Sequence, residues 1–274
     1  MLLESSNIVN QNYVIVFDLD ETLGHFSQLY IFWNLLNSYL NDCNIEKIHF
    51  FKLLDLFPDF LRPNILKLLK NVKRKKQKNI CNYVMIYTNN NGPKHWAELI
   101  KEYFHYKLKY ELFDKIIGAF KVNGEIIEVC RTSNGKSLKD FLNCTKLPEN
   151  TQICFLDDQH HENMEHENVV YINIKPYTHN ESFIKMAEKF YNNNKDIFNK
   201  KNINYVSFFI NYIKKYTNNY NLKYLKKSKI EKNIDYILGN QIIKEVDKFF
   251  KTKPHIYTKK THKKKSKNKT YKIL

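Results

Sequence analysis

The chain has 274 residues, of which 43% are hydrophobic, and it carries a formal net charge of +17 at pH 7. This is enough apolar material for a sizeable core, and the positive charge favours polyanions over cationic surfaces as partners. No apolar run approaches the ~18 residues of a membrane helix, and the N-terminal segment does not resemble a signal peptide. We therefore expect an intracellular protein, cytoplasmic or nuclear, that is not secreted and has no membrane partner.

The five cysteines stand at positions 43, 81, 130, 144 and 154. Their number is odd and no two of them form a Cys-x-x-Cys pair, so the pattern favours neither a disulfide framework nor a zinc site. A reducing compartment is the simplest interpretation.

Three short apolar runs are each followed by polar residues: YVIVFDLD at 13–20, YVMIYTNN at 83–90 and QICFLDD at 152–158. Nearly continuous β-branched and aromatic runs are typical of strands covered on both faces. A further run, VVYINIK at 169–175, predicts a fourth strand.

Helical patterns separate these strands at 63–78, 93–108 and 137–146. Alternating strands and helices predict an α/β fold with a doubly wound parallel sheet. Ligands of such sheets bind outside the carboxyl ends of the strands, so the three polar clusters are expected to converge.

Two small inserts interrupt the predicted domain, which spans residues 1–180. Residues 27–61 are helical and aromatic in pattern, and residues 115–131 predict a hairpin that turns at Asn123-Gly124.

The remainder of the chain has a different composition. Residues 181–250 predict a helical C-terminal extension, and residues 251–274 contain ten lysines and no acidic residue. This composition predicts a disordered basic tail. Such a tail binds nucleic acid, acts as a nuclear address, or only improves solubility.

Asp18 and Asp20 follow the first strand and are two positions apart, so in a strand they share one face. Two adjacent carboxylates require a cation or a shared proton, unless they are solvated turn residues. An EF-hand calcium loop is excluded, because Leu23 and Leu29 occupy the positions of its glycine and final glutamate.

The other strand ends supply matching groups. Thr88 offers a hydroxyl to phosphate oxygens, and Asp157 and Asp158 offer ligands to magnesium. Lys136 or Lys139 would neutralise a phosphate, which a carboxylate nucleophile requires before it attacks a dianion. Together these residues favour a phosphoryl-transfer site over isolated turn aspartates.

The motifs VFDLDETL, YTNN, a lysine and FLDD, in this order, resemble the four motifs of the haloacid dehalogenase (HAD) superfamily. DLDETL, FLRPNILKLL and LFDKIIG resemble, more narrowly, the phosphatases that act on the C-terminal domain of RNA polymerase II. The resemblance covers roughly residues 12–177 and implies a HAD-like fold and Mg²⁺-dependent hydrolysis of phosphomonoesters.

The resemblance also implies roles for individual residues. Asp18 corresponds to the nucleophile that forms an aspartyl-phosphate, and Asp20 to the acid that protonates the leaving group and then activates water. Thr88 corresponds to a phosphate-binding residue, and Asn89 is a weaker candidate for substrate contact.

The metal site implied by the resemblance uses four aspartates. Mg²⁺ would be bound by Asp157, the Asp18 side chain and the Asp20 carbonyl, with Asp158 in support.

Two lysines compete for the phosphate-neutralising role. Lys139 matches the Lys-Asp-Leu of the polymerase-tail phosphatases, whereas Lys136 matches the wider superfamily, in which the lysine directly precedes a helix. Ser137 and Asp140 predict the cap of that helix. Because a lysine before the cap faces the strand ends, we favour Lys136.

His160, His161 and His166 follow the third strand. They would serve either as a second metal site or substrate contact, or as part of a solvated loop. Their spacing repeats no metal-ligand pattern, so we favour the solvated loop.

Neither insert is large enough to seal the site over a small metabolite, which favours a phosphate on a polymer. We expect a protein serine/threonine phosphatase whose partner is a phosphorylated protein. The alternatives are a nucleic-acid 3′-phosphatase and a catalytically silent HAD-fold binding module, and the intact set of aspartates and threonine argues against the latter.

Overall fold

A computed structural model describes residues 12–46, 48–199, 205–218, 220, 226–251 and 270–273. Its strands are β1 (Tyr13–Phe17), β2 (Tyr83–Tyr87), β3 (Lys115–Ile117), β4 (Lys121–Val122), β5 (Glu125–Ile126), β6 (Gln152–Asp157), β7 (Val169–Ile174) and β8 (Thr270–Ile273). Six of them form one parallel sheet in the order β3-β2-β1-β6-β7-β8, while β4 and β5 form a separate antiparallel pair.

The helices alternate with these strands. They are α1 (Ser27–Asp42), α2 (Phe50–Leu56), α3 (Ile65–Gln77), α4 (Lys94–Leu108), α5 (Leu138–Thr145), α6 (Phe183–Asn193), α7 (Lys195–Asn199), α8 (Tyr205–Thr217) and α9 (Lys229–Lys251). Within the described ranges, none of them combines the length and apolar character needed to cross a membrane.

The sheet buries both of its faces because side chains alternate along each strand. Ile15 and Phe17 of β1 join the larger apolar cluster, which includes residues of α1 to α4, α6, α8 and α9. Val14 and Val16 join a smaller cluster on the opposite face with Phe141 of α5. The predicted α/β class and doubly wound parallel sheet are confirmed in this form.

The chain reverses its direction across the sheet between β1 and β6. From β1 it proceeds outward to β2 and β3, and it then returns to build β6, β7 and β8 on the other side. Phe17 pairs with Leu156, and the Asp18 amide donates to the Leu156 carbonyl at 2.8 Å. The first residues beyond β1 therefore lie beside the end of β6, in the crevice where doubly wound sheets bind ligands.

The two inserts are partly as predicted. Residues 27–61 form α1, α2 and a 3₁₀ turn at Pro58–Phe60, and β4 and β5 turn at Asn123 and Gly124, both with positive φ. The predicted hairpin begins too early, however. Residues 115–117 are β3, a strand of the main sheet parallel to β2, because Ile117 is buried there.

The expectation of no disulfide is wrong for one pair, since Cys130 and Cys144 are bonded to each other. Cysteine spacing did not reveal this contact, because it arises when α5 packs beside the loop that precedes it. Cys43, Cys81 and Cys154 are not part of a disulfide among the described residues.

The predicted disorder of residues 251–274 fails at both ends of that range. Lys251 closes α9, and residues 270–273 are β8, which pairs in parallel with β7 and buries Ile273. The prediction of disorder used the lysine-rich composition of the whole range, which obscured the short strand pattern TYKI at its end. Residues 252–269 lie outside the described part of the chain. The described part of residues 181–250 contains α6, α7, α8 and nearly all of α9, as predicted for a helical extension. The buried hydrophobic residues of these helices belong to the same cluster as Ile15 and Phe17 of β1.

We predict that Ile273→Ala lowers the free energy of unfolding by about 2–4 kcal/mol, because it leaves a cavity beside β7. Lys272→Ala, at the exposed neighbouring position, is the matched control and should change stability by no more than about 0.5 kcal/mol. Urea denaturation measures both values. Equal stability of the two variants would show that β8 does not belong to the folded sheet.

Candidate active site

A cleft opens at the carboxyl edge of the sheet, where β1, β2 and β6 end. Its lining residues are Asp18, Asp20, Glu21, Thr88, Asn89, Asn90, Lys136, Asp157, Asp158 and Gln159. The three polar clusters predicted to converge therefore do so. Of the predicted site residues, only Lys139 lies elsewhere; it is exposed on α5 and lines a different groove.

Lys136 lies at the centre of the cleft and is only 2% exposed. Its Nζ is 2.5 Å from Asp18 Oδ1 and 2.6 Å from Asp157 Oδ2. The position follows from the start of α5, where the Ser137 hydroxyl accepts the Asp140 amide as an N-cap. Lys136 thus precedes the cap and points at the strand ends, as the local sequence pattern predicts.

The carboxylates around Lys136 have unequal pKa values. Burial raises the pKa of Asp18 to about 7, even though the ammonium of Lys136 opposes this shift. Burial also acts on Asp157, but there Lys136, helped by His161, outweighs it and holds the pKa below its usual range. The two carboxylates in turn raise the pKa of Lys136 in spite of its burial. The lysine therefore stays charged between them.

The cleft holds more negative than positive charge. Oxygen atoms of Asp18, Asp157 and Asp158 all lie within 4.8 Å of one another, and Lys136 is the one lysine among the described residues that line the cleft. Burial, together with the neighbouring charge of Asp157, raises the pKa of Asp158 to about 6. Three clustered carboxylates are the oxygen donors that a hard divalent cation prefers. The donor set therefore suits a hard divalent cation, a class that includes Mg²⁺. The role expected for Asp20 uses its backbone carbonyl, and its side chain lies outside this group.

Asp20 is oriented by a residue that sequence reasoning missed. Asn90 Nδ2 donates to Asp20 Oδ2 at 2.5 Å. Asn90 is itself fixed by two hydrogen bonds. Its side-chain Oδ1 accepts from the Gly92 backbone amide at 2.8 Å, and its own backbone N–H donates to Thr88 Oγ1 at 3.0 Å. Burial raises the pKa of Asp20. The only signal in the sequence is the run of three asparagines after Thr88.

Two buried oxygen atoms of cleft residues lack a hydrogen-bond partner among the described residues: Asp20 Oδ1 and Asn89 Oδ1. Buried polar atoms are almost always paired in folded proteins. Both residues line the cleft beside the buried Thr88, and both atoms are acceptors, so this side of the cleft suits a group that donates hydrogen bonds.

Two buried arginines hold the loops of the cleft, a role that no sequence pattern indicates for either of them. Arg62 Nε donates to the Thr22 carbonyl at 2.6 Å, and its Nη2 donates to the carbonyls of Glu21 and Lys175. Burial lowers the pKa of Arg62 to about 10, which leaves it charged. It therefore fixes the turn that follows Asp20.

Arg131 plays the same part on the other side of the cleft. Its Nη1 donates to the Gly118 carbonyl at 2.6 Å and to the Thr88 carbonyl at 3.3 Å. Its Nη2 donates to the carbonyls of Asn134 and Gly135, at 3.1 and 3.3 Å. One guanidinium thus ties the ends of β2 and β3 to the loop that carries Lys136.

The solvated loop favoured for the histidines is wrong for His161. This side chain is largely buried, and its Nε2 is 3.4 Å from Asp157 Oδ2. His160 stacks on Tyr171 with ring centroids 5.6 Å apart. His166 is exposed, as expected for a loop. Among the described residues, no cluster suited to a metal includes any of the three.

Comparisons with known proteins find no matching family model, curated relative or solved structure. The function has to be inferred from the cleft itself. The cleft offers a buried carboxylate paired with an ammonium, a second carboxylate held by an amide, and three clustered aspartates that could hold a cation.

Proposed function

We propose that this protein is a Mg²⁺-dependent phosphomonoester hydrolase that forms an aspartyl-phosphate on Asp18. The observation that carries the proposal is the position of Lys136 Nζ, within 2.6 Å of both Asp18 and Asp157 at the crevice between β1 and β6. Burying these charges costs desolvation free energy, so stabilising the fold is a poor explanation for them. Strongly perturbed ionisable groups in a cleft instead favour a functional site.

In the first half-reaction, an Asp18 carboxylate oxygen attacks phosphorus and the bond from phosphorus to the ester oxygen breaks. Asp20 gives its proton to the departing alkoxide; its pKa, raised by burial, suits this role, and the hydrogen bond from Asn90, which by itself lowers that pKa, fixes the direction of the side chain. Lys136 and Thr88 face the phosphate oxygens.

In the second half-reaction, Asp20 removes a proton from water, whose oxygen attacks phosphorus. The bond between phosphorus and Asp18 breaks, inorganic phosphate leaves and both aspartates return to their starting state. A Mg²⁺ ion held by Asp18, Asp157 and Asp158 would supply the positive charge that allows a carboxylate to approach a phosphate dianion.

An apolar cavity next to the cleft supports a protein substrate. It shares Thr88 and Asn90 with the cleft, and its walls include Ile116, Val122 and Ile127. Glu128 also lines it, and among the described residues no lysine or arginine does. Such a surface suits an uncharged side chain beside a phosphorylated residue and repels a sugar-phosphate backbone. We therefore favour phosphoserine or phosphothreonine in a protein over the 3′-phosphate of a nucleic acid.

The nucleophile is tested by Asp18→Asn. We expect this variant to lose turnover, because an amide cannot form the acyl-phosphate, and to remain folded by circular dichroism. Asp42→Asn, at the exposed end of α1, is the control and should retain wild-type activity. Beryllium fluoride with Mg²⁺ should inhibit the wild type by mimicking the intermediate. Near-normal turnover by Asp18→Asn would exclude this mechanism.

The two lysines provide a matched pair. Lys136→Ala should lower kcat by about 10² or more, the usual scale for the loss of a preorganised charge contact. Lys139→Ala, three residues away and exposed, should leave kcat nearly unchanged. Steady-state kinetics on a small phosphoester measure both values, and a larger defect in Lys139→Ala would contradict the geometry of the cleft.

Substrate class is tested on the apolar cavity. Ile127→Glu should lower kcat/KM for a phosphopeptide with an aliphatic neighbour by about tenfold, while hydrolysis of a small generic phosphoester stays unchanged. Ile80→Glu, at a position that is 40% exposed against 46% for Ile127 but lies at the amino edge of the sheet, should affect neither substrate. A 3′-phosphorylated oligonucleotide that is hydrolysed better than the phosphopeptide would favour the nucleic-acid alternative.

A further inference from the structure

The disulfide between Cys130 and Cys144 encloses the loop that positions Lys136. We call residues 130–137 the lysine loop; it begins at Cys130 and runs directly into α5, which contains Cys144. Lys136 therefore lies inside the covalent ring that the disulfide closes. Asn143 Nδ2 reinforces the attachment by donating to the Cys130 carbonyl at 2.6 Å.

Arg131 connects this ring to the cleft, because it follows Cys130 directly in the chain. Its guanidinium bonds the carbonyls of Asn134 and Gly135 within the lysine loop, and that of Thr88 beside the phosphate position. Arg131 thus links the residue after Cys130 to both sides of the cleft by hydrogen bonds.

The disulfide is the exchangeable pair among the described cysteines. Cys130 is only partly buried, with its Sγ 3.2 Å from Glu128 Oε1, whereas Cys144 is 5% exposed. Cys81 and Cys154 are buried, and burial raises the pKa of both thiols, that of Cys81 to about 12. Thiols of this kind are inert in exchange.

We propose that Cys130 and Cys144 form a reversible thiol–disulfide exchange site that controls activity through the lysine loop. This inference rests on the proposed function for its effect on catalysis. In the oxidising direction, the two thiols pass two electrons and two protons to a low-molecular-weight disulfide, which leaves as two thiols. In the reverse direction, two such thiols reduce the bond and are oxidised to their disulfide.

Reduction opens the ring but leaves other contacts in place. Asp140 still accepts from the amide and hydroxyl of Thr132, and Ser137 still caps α5. The reduced protein therefore keeps its fold, while Lys136 is held less rigidly between the two aspartates. A small misplacement of a catalytic group is enough to slow turnover markedly.

The activity test uses the full chain, equilibrated in defined mixtures of reduced and oxidised glutathione and assayed with Mg²⁺ on a small phosphoester. Alkylation and mass spectrometry report the state of each cysteine. We expect kcat to fall by about fivefold or more on reduction, with a smaller change in KM. Cys130→Ser should have the low kcat in every buffer, and Cys43→Ser should respond like the wild type.

Hydrogen exchange provides a readout that does not depend on activity. Amides 131–137 should exchange faster in the reduced protein than in the oxidised one. If neither state hydrolyses phosphoesters, the proposed function fails, and the exchange rates alone decide whether the bond controls the loop. Identical exchange in the two states would overturn the inference, as would identical kcat in an active enzyme or thiols that remain free in the oxidised buffer.

Discussion

The geometry of the cleft depends on the contact of one ammonium with two buried carboxylates, which the surrounding elements must hold in place. Lys136 meets Asp18 and Asp157 at 2.5 and 2.6 Å, in a place where water screens little of their charge. This cluster of three buried charges is stable only if its side chains are held at hydrogen-bonding distance from one another. The pairing of β1 with β6 sets the two aspartates side by side, and the N-cap of α5 delivers the lysine.

The main-chain carbonyls of the loops that follow the strands are no longer hydrogen-bonded within the sheet. When such carbonyls are buried, other groups have to donate hydrogen bonds to them. Arg62 and Arg131 meet this need. Each guanidinium carries five N–H donors in a fixed plane. Nε and Nη2 of Arg62, and both Nη atoms of Arg131, donate to main-chain carbonyls of separate loops, whereas Arg131 Nε has no partner among the described residues. A charged side chain thus acts as a structural crosslink, and the geometry of the cleft depends on residues that do not line it.

Local sequence patterns were sufficient to predict two strands of the sheet and three charged residues of the cleft. Continuous apolar runs ending in carboxylates gave the strands β1 and β6 and the positions of Asp18 and Asp157. The cap pattern at Ser137 distinguished Lys136 from Lys139, because the direction of a side chain at a helix start is a local property. These predictions needed no knowledge of which elements touch.

The parts that sequence reasoning missed depend on contacts between distant segments. Asn90 matters because it reaches Asp20, which is 70 residues away, and Arg131 because it meets the ends of two strands. His161 is buried because it lies against Asp157 and the ring of Phe155. The disulfide depends in the same way on the packing of α5, and β8 on a partner strand about 100 residues earlier.

The strand β8 has one more consequence. It adds to the edge of β7 after a stretch that leaves α9 at Lys251 and enters the sheet at Thr270. While that connection is intact, β8 docks as an intramolecular event at a high effective concentration. A single protease cut between the two points would convert β8 into a separate peptide, held by its ladder and by Ile273. Its retention would then follow mass action and fall on dilution.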